Sequence, residues 1–349
     1  MARPAARGLT RDAVDRLGAQ QTDSRVFRAE VLDHLRRVVG FDWYAWVLTD
    51  PVTEVGVDPL AHLPELTVLP AVVRLKYLTA VNRWTSLDDA GALGGRATDS
   101  QLWCDVQRSY DVVDVASVVF RDGFGCWGFL DLWSRHAYAA KDVALLRELA
   151  PTLTASLRVR QARTFTVVAS APDQGRPGPS VILLDDDLRT VGQTGASLEW
   201  LHLLLPNPGG MAPIPACAYN VAAQLLAREH GVDGHEPMAR IHLADGFWVT
   251  LRASRVEPGG LIAVTIEPVS PGHRLDLFAR ANALSVRERE LLALLAEGAD
   301  TVHAASRMFV SPHTVQDHLK SVFAKTGTRN RRVLLSHALG VRGDADVRS

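Results

Sequence analysis

Between Ser311 and Leu335 the chain sets five basic residues, Lys320, Lys325, Arg329, Arg331 and Arg332, against the single acid Asp317. Within that stretch Val315, Leu319, Val322 and Phe323 recur at helical spacing and must face inward, so Gln316, Asp317, Lys320 and Ser321 share the outward face. An amide, a carboxylate, an ammonium and a hydroxyl on one rod, beside surplus positive charge, suit patterned hydrogen bonding to a polyanion and neutralisation of its charge. The charges alone are equally those of a solvated helical hairpin with ordinary surface lysines. The elements that hold the face decide between the two.

Those elements are legible. Ser285 followed by Glu288 predicts a capping box and a helix start, with Leu291, Leu292, Leu294 and Leu295 as its apolar face and Gly298 as its stop. Asp300 should cap a second helix over 301–308, slim at Ala304, Ala305 and Ser306. After a turn at Phe309 and Val310, Ser311 caps and Pro312 opens the third helix, ended by Gly327. A fourth runs over 330–339 and stops at Gly340. The arrangement is a helix-turn-helix whose third helix carries the polar face.

Leu284, Arg287, Glu288, Glu290, Gly298, Ser311, Thr314, Val315, His318, Leu319, Lys325, Gly327 and Arg329 stand in the order and spacing of the LuxR-type DNA-binding domain, also called NarL-type or GerE-type, and 284–340 resembles that family over all four helices. The resemblance implies that the third helix enters the major groove and that the fourth contributes to a symmetric dimer contact. It places Gln316, Asp317 and Lys320 at base edges and Ser311, Thr314, Lys325 and Arg329 near phosphates. Glutamine can pair bidentately with adenine, lysine donates to guanine acceptors, and a carboxylate accepts from cytosine N4. Asp317 has a second reading, a surface carboxylate balancing His313 or Lys320, and His318 either supports helix packing or touches phosphate. Two departures, His303-Ala304-Ala305 for the usual Glu-Ile-Ala and Thr326 for Leu, are expected at packing positions.

Upstream, the expected fold is multidomain α+β. A segment 1–23 precedes a first domain over 24–163, with a helix at 26–39, strands at 41–49, 112–120 and 126–135, and a long helix at 140–161. Through its Arg121-Asp122-Gly123 turn, its Gly128-Phe129-Leu130 strand and the helix at 145–158, it resembles a GAF-like sensor. A linker at 164–178 leads to a domain over 179–270, with strands at 181–184, 188–191, 240–243, 247–254 and 261–267, turns at Asp245-Gly246 and Gly259-Gly260, and a helix at 218–229. That order resembles a PAS-like fold. A connecting helix at 271–283 and a tail at 341–349 complete the chain.

The formal net charge of −1 excludes a global attraction to phosphate, and 47% hydrophobic residues in 349 supply real cores. No run approaches the roughly 20 apolar residues of a membrane span, and 1–11 lacks a secretion signal's apolar centre, so a cytoplasmic, nucleoid-associated protein without membrane contact is expected. Cys104, Cys126 and Cys217 lack CxxC spacing and read as reduced core thiols, with redox sensing as the alternative.

Other chemistry fares less well. Asp185-Asp186-Asp187 resembles the opening of a phosphate-accepting receiver, but Asp245 falls in a turn and no lysine lies between Lys141 and Lys320, so the triplet reads as a turn. His230, His235 and His242 match no familiar metal spacing. Trp43, Trp46, Trp103, Phe120, Trp127 and Phe129 are dense enough to line a ligand pocket or to fill a core. No nucleophile motif or phosphate loop appears. The expectation is a non-enzymatic bacterial transcription regulator without metal or cofactor, a homodimer on a pseudo-palindromic operator. It would be tuned by a small-molecule effector or a partner and act with RNA polymerase. The alternatives are an enzyme or ligand-binding protein working through the GAF/PAS-like region, and a phosphorylated response regulator.

Overall fold

The computed structural model describes residues 4–166, 177–178, 180–204, 215–243, 247–258 and 260–340, with the side chains of 4–10 left aside. The turns at Asp245-Gly246 and Gly259-Gly260, most of the linker 164–178 and the tail 341–349 lie wholly or partly outside these residues. The chain is a mixed helix and sheet protein with two antiparallel sheets followed by a helical head.

The elements of the first half are α1 (Pro4–Ala19), α2 (Ser24–Val38), β1 (Trp43–Thr49), β2 (Gly56–His62), α3 (Leu69–Leu78), β3 (Ala90–Ala92), α4 (Gln101–Asp105), β4 (Asp114–Asp122), β5 (Gly125–Ser134) and α5 (Ala140–Arg163). The sheet order is β2-β1-β5-β4-β3. The sequence foretells β1, β4, β5, α2 and α5, because strands buried on both faces are continuous apolar runs. It does not foretell β2 and β3. Both are edge strands, and β2 contains Pro59, a residue an edge tolerates because no inner ladder needs its missing N–H.

The second sheet runs β7-β6-β10-β9-β8, from β6 (Ser180–Leu184), β7 (Thr190–Gln193), β8 (Met238–His242), β9 (Trp248–Arg255) and β10 (Ile262–Pro268), with α6 (Gly195–Leu204) and α7 (Ala216–Glu229) inserted. The strand expected at 188–191 starts two residues later. Leu188 takes a left-handed turn conformation with its side chain buried, and the hairpin loop closes only at Arg189, whose carbonyl accepts from the Asp185 N–H. Asp185 Oδ1 accepts from the N–H groups of Asp187 and Arg189 at 3.0 and 2.8 Å, Asp186 pairs with Arg255, and Asp187 with Arg189 and Arg74. The acidic triplet is a self-capped turn, as read, and not a phosphate-accepting pocket.

The chain forms two compact units. The first, Met1–Leu157 with Pro177–Ile241 and Thr250–Glu267, holds most of both sheets as one body. Inside it α3 packs on α7, Tyr77 Oη donates to Asn220 Oδ1 at 3.0 Å, and Asp50, wholly buried, accepts from Arg240 Nε and Nη2 at 2.6 and 2.7 Å. Burial opposes the Asp50 charge, and the Arg240 guanidinium outweighs it, holding the carboxyl below its ordinary range. The second unit comprises Arg158–Arg176, His242–Val249 and Pro268–Ser349.

Candidate nucleic-acid interface

The second unit contains α8 (Pro271–Ala281), α9 (Val286–Ala296), α10 (Thr301–Met308), α11 (Pro312–Thr326) and α12 (Arg331–Leu339). Their starts follow the side-chain chemistry. Ser285 and Glu288 form the capping box, Asp300 Oδ1 accepts from the His303 N–H at 2.7 Å, and Ser311 Oγ accepts from Thr314 N–H at 3.1 Å. Pro312 lies in the first turn of α11. Leu291, Leu292, Leu294, Leu295, Ala304, Ala305, Met308, Val315, Leu319, Val322, Leu334 and Ala338 form the buried interior. His303 does not share it. It is exposed, so only the two alanines of that departure from the family pattern are packing positions, while the Thr326 hydroxyl donates back to the Val322 carbonyl.

With Val315, Leu319 and Val322 turned inward, α11 shows Gln316, Asp317 and Lys320 to solvent. Lys320 Nζ donates to Asp317 Oδ1 at 3.1 Å and His313 lies 3.7 Å from Asp317 Oδ2, so the carboxylate is held charged, chiefly by the lysine's hydrogen bond. Asp317 thus stands as a surface carboxylate between Lys320 and His313. Both groups remain largely exposed, 56% for Asp317 and 72% for Lys320, and an exposed pair of this kind is worth little and re-forms easily. Gln316 Nε2 donates to Thr301 Oγ1 at 3.3 Å. Arg329 and Arg332 are exposed, and His318 is half-buried.

One outward assignment changes, and Lys325, expected near phosphate, takes a partner inside the head. Ser321 is turned inward and donates to Glu288 Oε1 at 2.6 Å. Lys325 Nζ lies 2.7 Å from Glu288 Oε2. The same carboxylate accepts from the Ser285 N–H at 2.6 Å. Burial would raise its pKa, yet the hydrogen bonds from Lys325, Ser321 and Ser285 bring it down to about 2. Sequence reasoning assigned Glu288 to the capping box alone, because helix periodicity says nothing about which side chain of another helix a carboxylate will meet.

The six aromatic residues put forward for a pocket do not converge. Trp43 pairs in register with Trp133 and Val47 with Phe129, so Trp43 and Phe129 share one face of the first sheet. Trp46, one residue out of phase, lies on the other face and stacks on Phe120 at 5.2 Å. Phe129 stacks on Trp84 at 4.3 Å, Trp103 Nε1 donates to the Val112 carbonyl, and Trp127 Nε1 to Asp122. These rings pack on protein neighbours. The three histidines separate likewise: His230 Nδ1 faces the Leu226 carbonyl, His235 pairs with Asp233, and His242 packs on Trp248. Cys126 and Cys217 are buried.

Residues 282–338 match the family model of bacterial regulatory proteins of the luxR family. Over 56 residues the chain is 43% identical to an HTH-type transcriptional regulator of Mycobacterium bovis, which covers 16% of this chain and 6% of that protein. It is 31% identical over 81 residues to the transcriptional regulatory protein DesR of Bacillus subtilis, 21% of this chain and 41% of DesR. The chain thus spans less than half the length of these curated relatives. Among solved structures, Escherichia coli SdiA overlays 95% of the chain and 97% of its own length with a TM-score of 0.33 and 14% identity.

Proposed function

Since residues 282–338 form a LuxR-family helix-turn-helix domain, we propose that the protein is a DNA-binding transcription regulator that reads duplex DNA with α11. The observation that carries this reading is the exposed triad Gln316, Asp317 and Lys320 on a helix whose start is capped and whose back is buried. In the bound state Gln316 and Lys320 meet base edges in the major groove. Lys320 exchanges Asp317 for guanine acceptors, and the released carboxylate accepts from a cytosine amine. Ser311, Thr314 and Arg329 take phosphates. Lys325 joins them only in so far as Glu288 shares its ammonium. The protein acts as a homodimer through α12 on a pseudo-palindromic site in the cytoplasm, with half-sites about one helical turn apart. The upstream sheets tune occupancy in response to a small molecule or partner by population shift, without turning over a substrate, and the output is to RNA polymerase.

Selection of bound duplexes from a random pool by the purified full chain tests the reading. The expected product is an enriched inverted repeat with half-site centres about 10 base pairs apart. A pool that stays random through successive rounds refutes it.

A further inference from the structure

Phe165, in the turn that follows α5, is fully buried in the second unit. Its ring stacks on Trp248 with centroids 4.9 Å apart and 18° between planes, and meets Phe278 edge-on at 5.4 Å. Trp248 opens β9 and Phe278 lies in α8, so three separate stretches of chain supply one aromatic cluster. Such geometry adds to simple burial.

Arg274 on α8 completes the cluster. Its guanidinium carbon lies 5.0 Å from the Phe165 ring centre, and its Nη2 donates at 3.2 Å to the His337 carbonyl near the end of α12. Only 4% of the residue is exposed, and burial lowers its pKa to about 10. A cation so enclosed persists where other terms offset its desolvation. Here the ring face attracts it, and the carbonyl end of α12 favours positive charge. The fit is close: a side chain on Gly340 would begin 2.8 Å from Arg274 Nε. Leu334 and Ala338 of α12 are buried, and α12 packs on α8. The other side of α8 borders an open groove of about 580 Å³ lined by Leu275, Ala279, Leu292, Ala293 and Leu339. Besides packing on α9, α8 is held by the aromatic cluster and by α12.

The segments supplying Phe165 and Trp248 run on, through α5 and β9, into the first unit. We propose that Phe165 and Arg274 form a latch through which α5 and β9 set the position of α12, so that a change upstream reaches the DNA-reading head by way of one aromatic joint. The last clause rests on the function proposed above; the latch itself does not. Both are positioning residues, and neither touches DNA.

Amide hydrogen exchange on the full-length chain tests the latch. Phe165→Leu and Arg274→Lys should each raise exchange over 331–339 about tenfold, while the amides of α9, α10 and α11 keep their protection, since opening is local to the released element. The double variant should go no further than either single one, because residues acting as a unit are not additive. Unchanged exchange in α12, an additive double variant, or a rise spread evenly through the head would each overturn the latch. Should Phe165→Leu fail to fold, Trp248→Phe, which keeps a ring in the stack, replaces it with the same expectations. Duplex selection on the same proteins separates the two ideas. A wild-type chain that selects no duplex sinks the regulator reading while exchange still judges the latch. Variants whose selected-site affinity equals the wild type's show that the latch does not serve the head's output.

Discussion

Glu288 and Lys325, 37 positions apart, are joined at 2.7 Å. This pair fastens the first helix of the head to the helix that carries the outward triad, through a carboxylate that is 5% exposed. One residue therefore caps α9 and anchors α11. Lys325, expected near phosphate, also ties α11 to α9.

Glu288→Gln should lower the stability of the head by about 2 kcal/mol, the scale for a buried charged hydrogen-bonding group losing its charge. The sign follows from linkage: the carboxyl's folded pKa, about 2, lies below its ordinary 4.5, so its contribution is present above pH 4.5 and is lost as the pH falls towards 2. Denaturant titrations at stepped pH should show the wild type converging on the variant across that window. Parallel curves would disprove the assignment.

Lys320 and Lys325 should behave differently on DNA. Lys320→Ala is expected to cost 1 to 3 kcal/mol or so in affinity and to relax preference at its base pair. Lys325→Ala should weaken all duplexes alike and change the salt slope by less than the ~0.9 of a free phosphate-neutralising lysine, because Glu288 already holds its ammonium. It should also destabilise the head, which Lys320→Ala should not. Equilibrium binding over a salt series, with a melting curve for each variant, checks both.

Asp50 and Arg240 are buried together in the first unit. Asp50→Asn leaves the guanidinium without its counter-charge and should cost about 3 to 5 kcal/mol. Calorimetry that found the variant as stable as wild type would mean the pair contributes nothing.

His235 Nδ1 lies 2.6 Å from Asp233 Oδ1, with Glu54 4.0 Å from Nε2, and the hydrogen bond to Asp233 raises the imidazole's pKa above the ordinary 6.5. Its stabilising effect is complete below pH 6.5 and fades as the pH rises through the elevated folded value. The midpoint of thermal unfolding should fall with rising pH in that range, and His235→Gln should flatten the fall. An identical pH profile in the variant would count against it.

Burial pushes the Cys126 thiol up to about 12 and raises that of Cys217, while Cys104 is only half-buried. A thiol reagent at neutral pH should modify Cys104 in the native protein and the other two only after unfolding. Rapid native labelling of Cys126 would restore the redox-sensing alternative.

The helices of the head were readable because capping is local. Ser285 and Glu288, Asp300, Ser311 and Pro312, and Gly327 each act within four residues, and apolar spacing shows which side is inward. The strands β4 and β5 were readable as apolar runs. Strands β2 and β3 were not, since an edge strand asks little of its residues and Pro59 disguises one of them. The aromatic residues of the first sheet looked like one population, and the register of β1 on β5 divides them between two faces.

The sequence by itself determined the head's helices, their caps, the polar triad on α11 and the acidic turn, because each depends on neighbours within a helical turn or a hairpin. Only the tertiary structure decided which partner each long polar side chain takes. Lys325 meets Glu288, Arg240 meets Asp50 from 190 positions away, and Arg274 meets Phe165 and His337. A charged side chain carries no periodic mark of the charge it will neutralise. That choice is made when folding removes water from around it and leaves the nearest opposite charge or carbonyl as its remaining solvent.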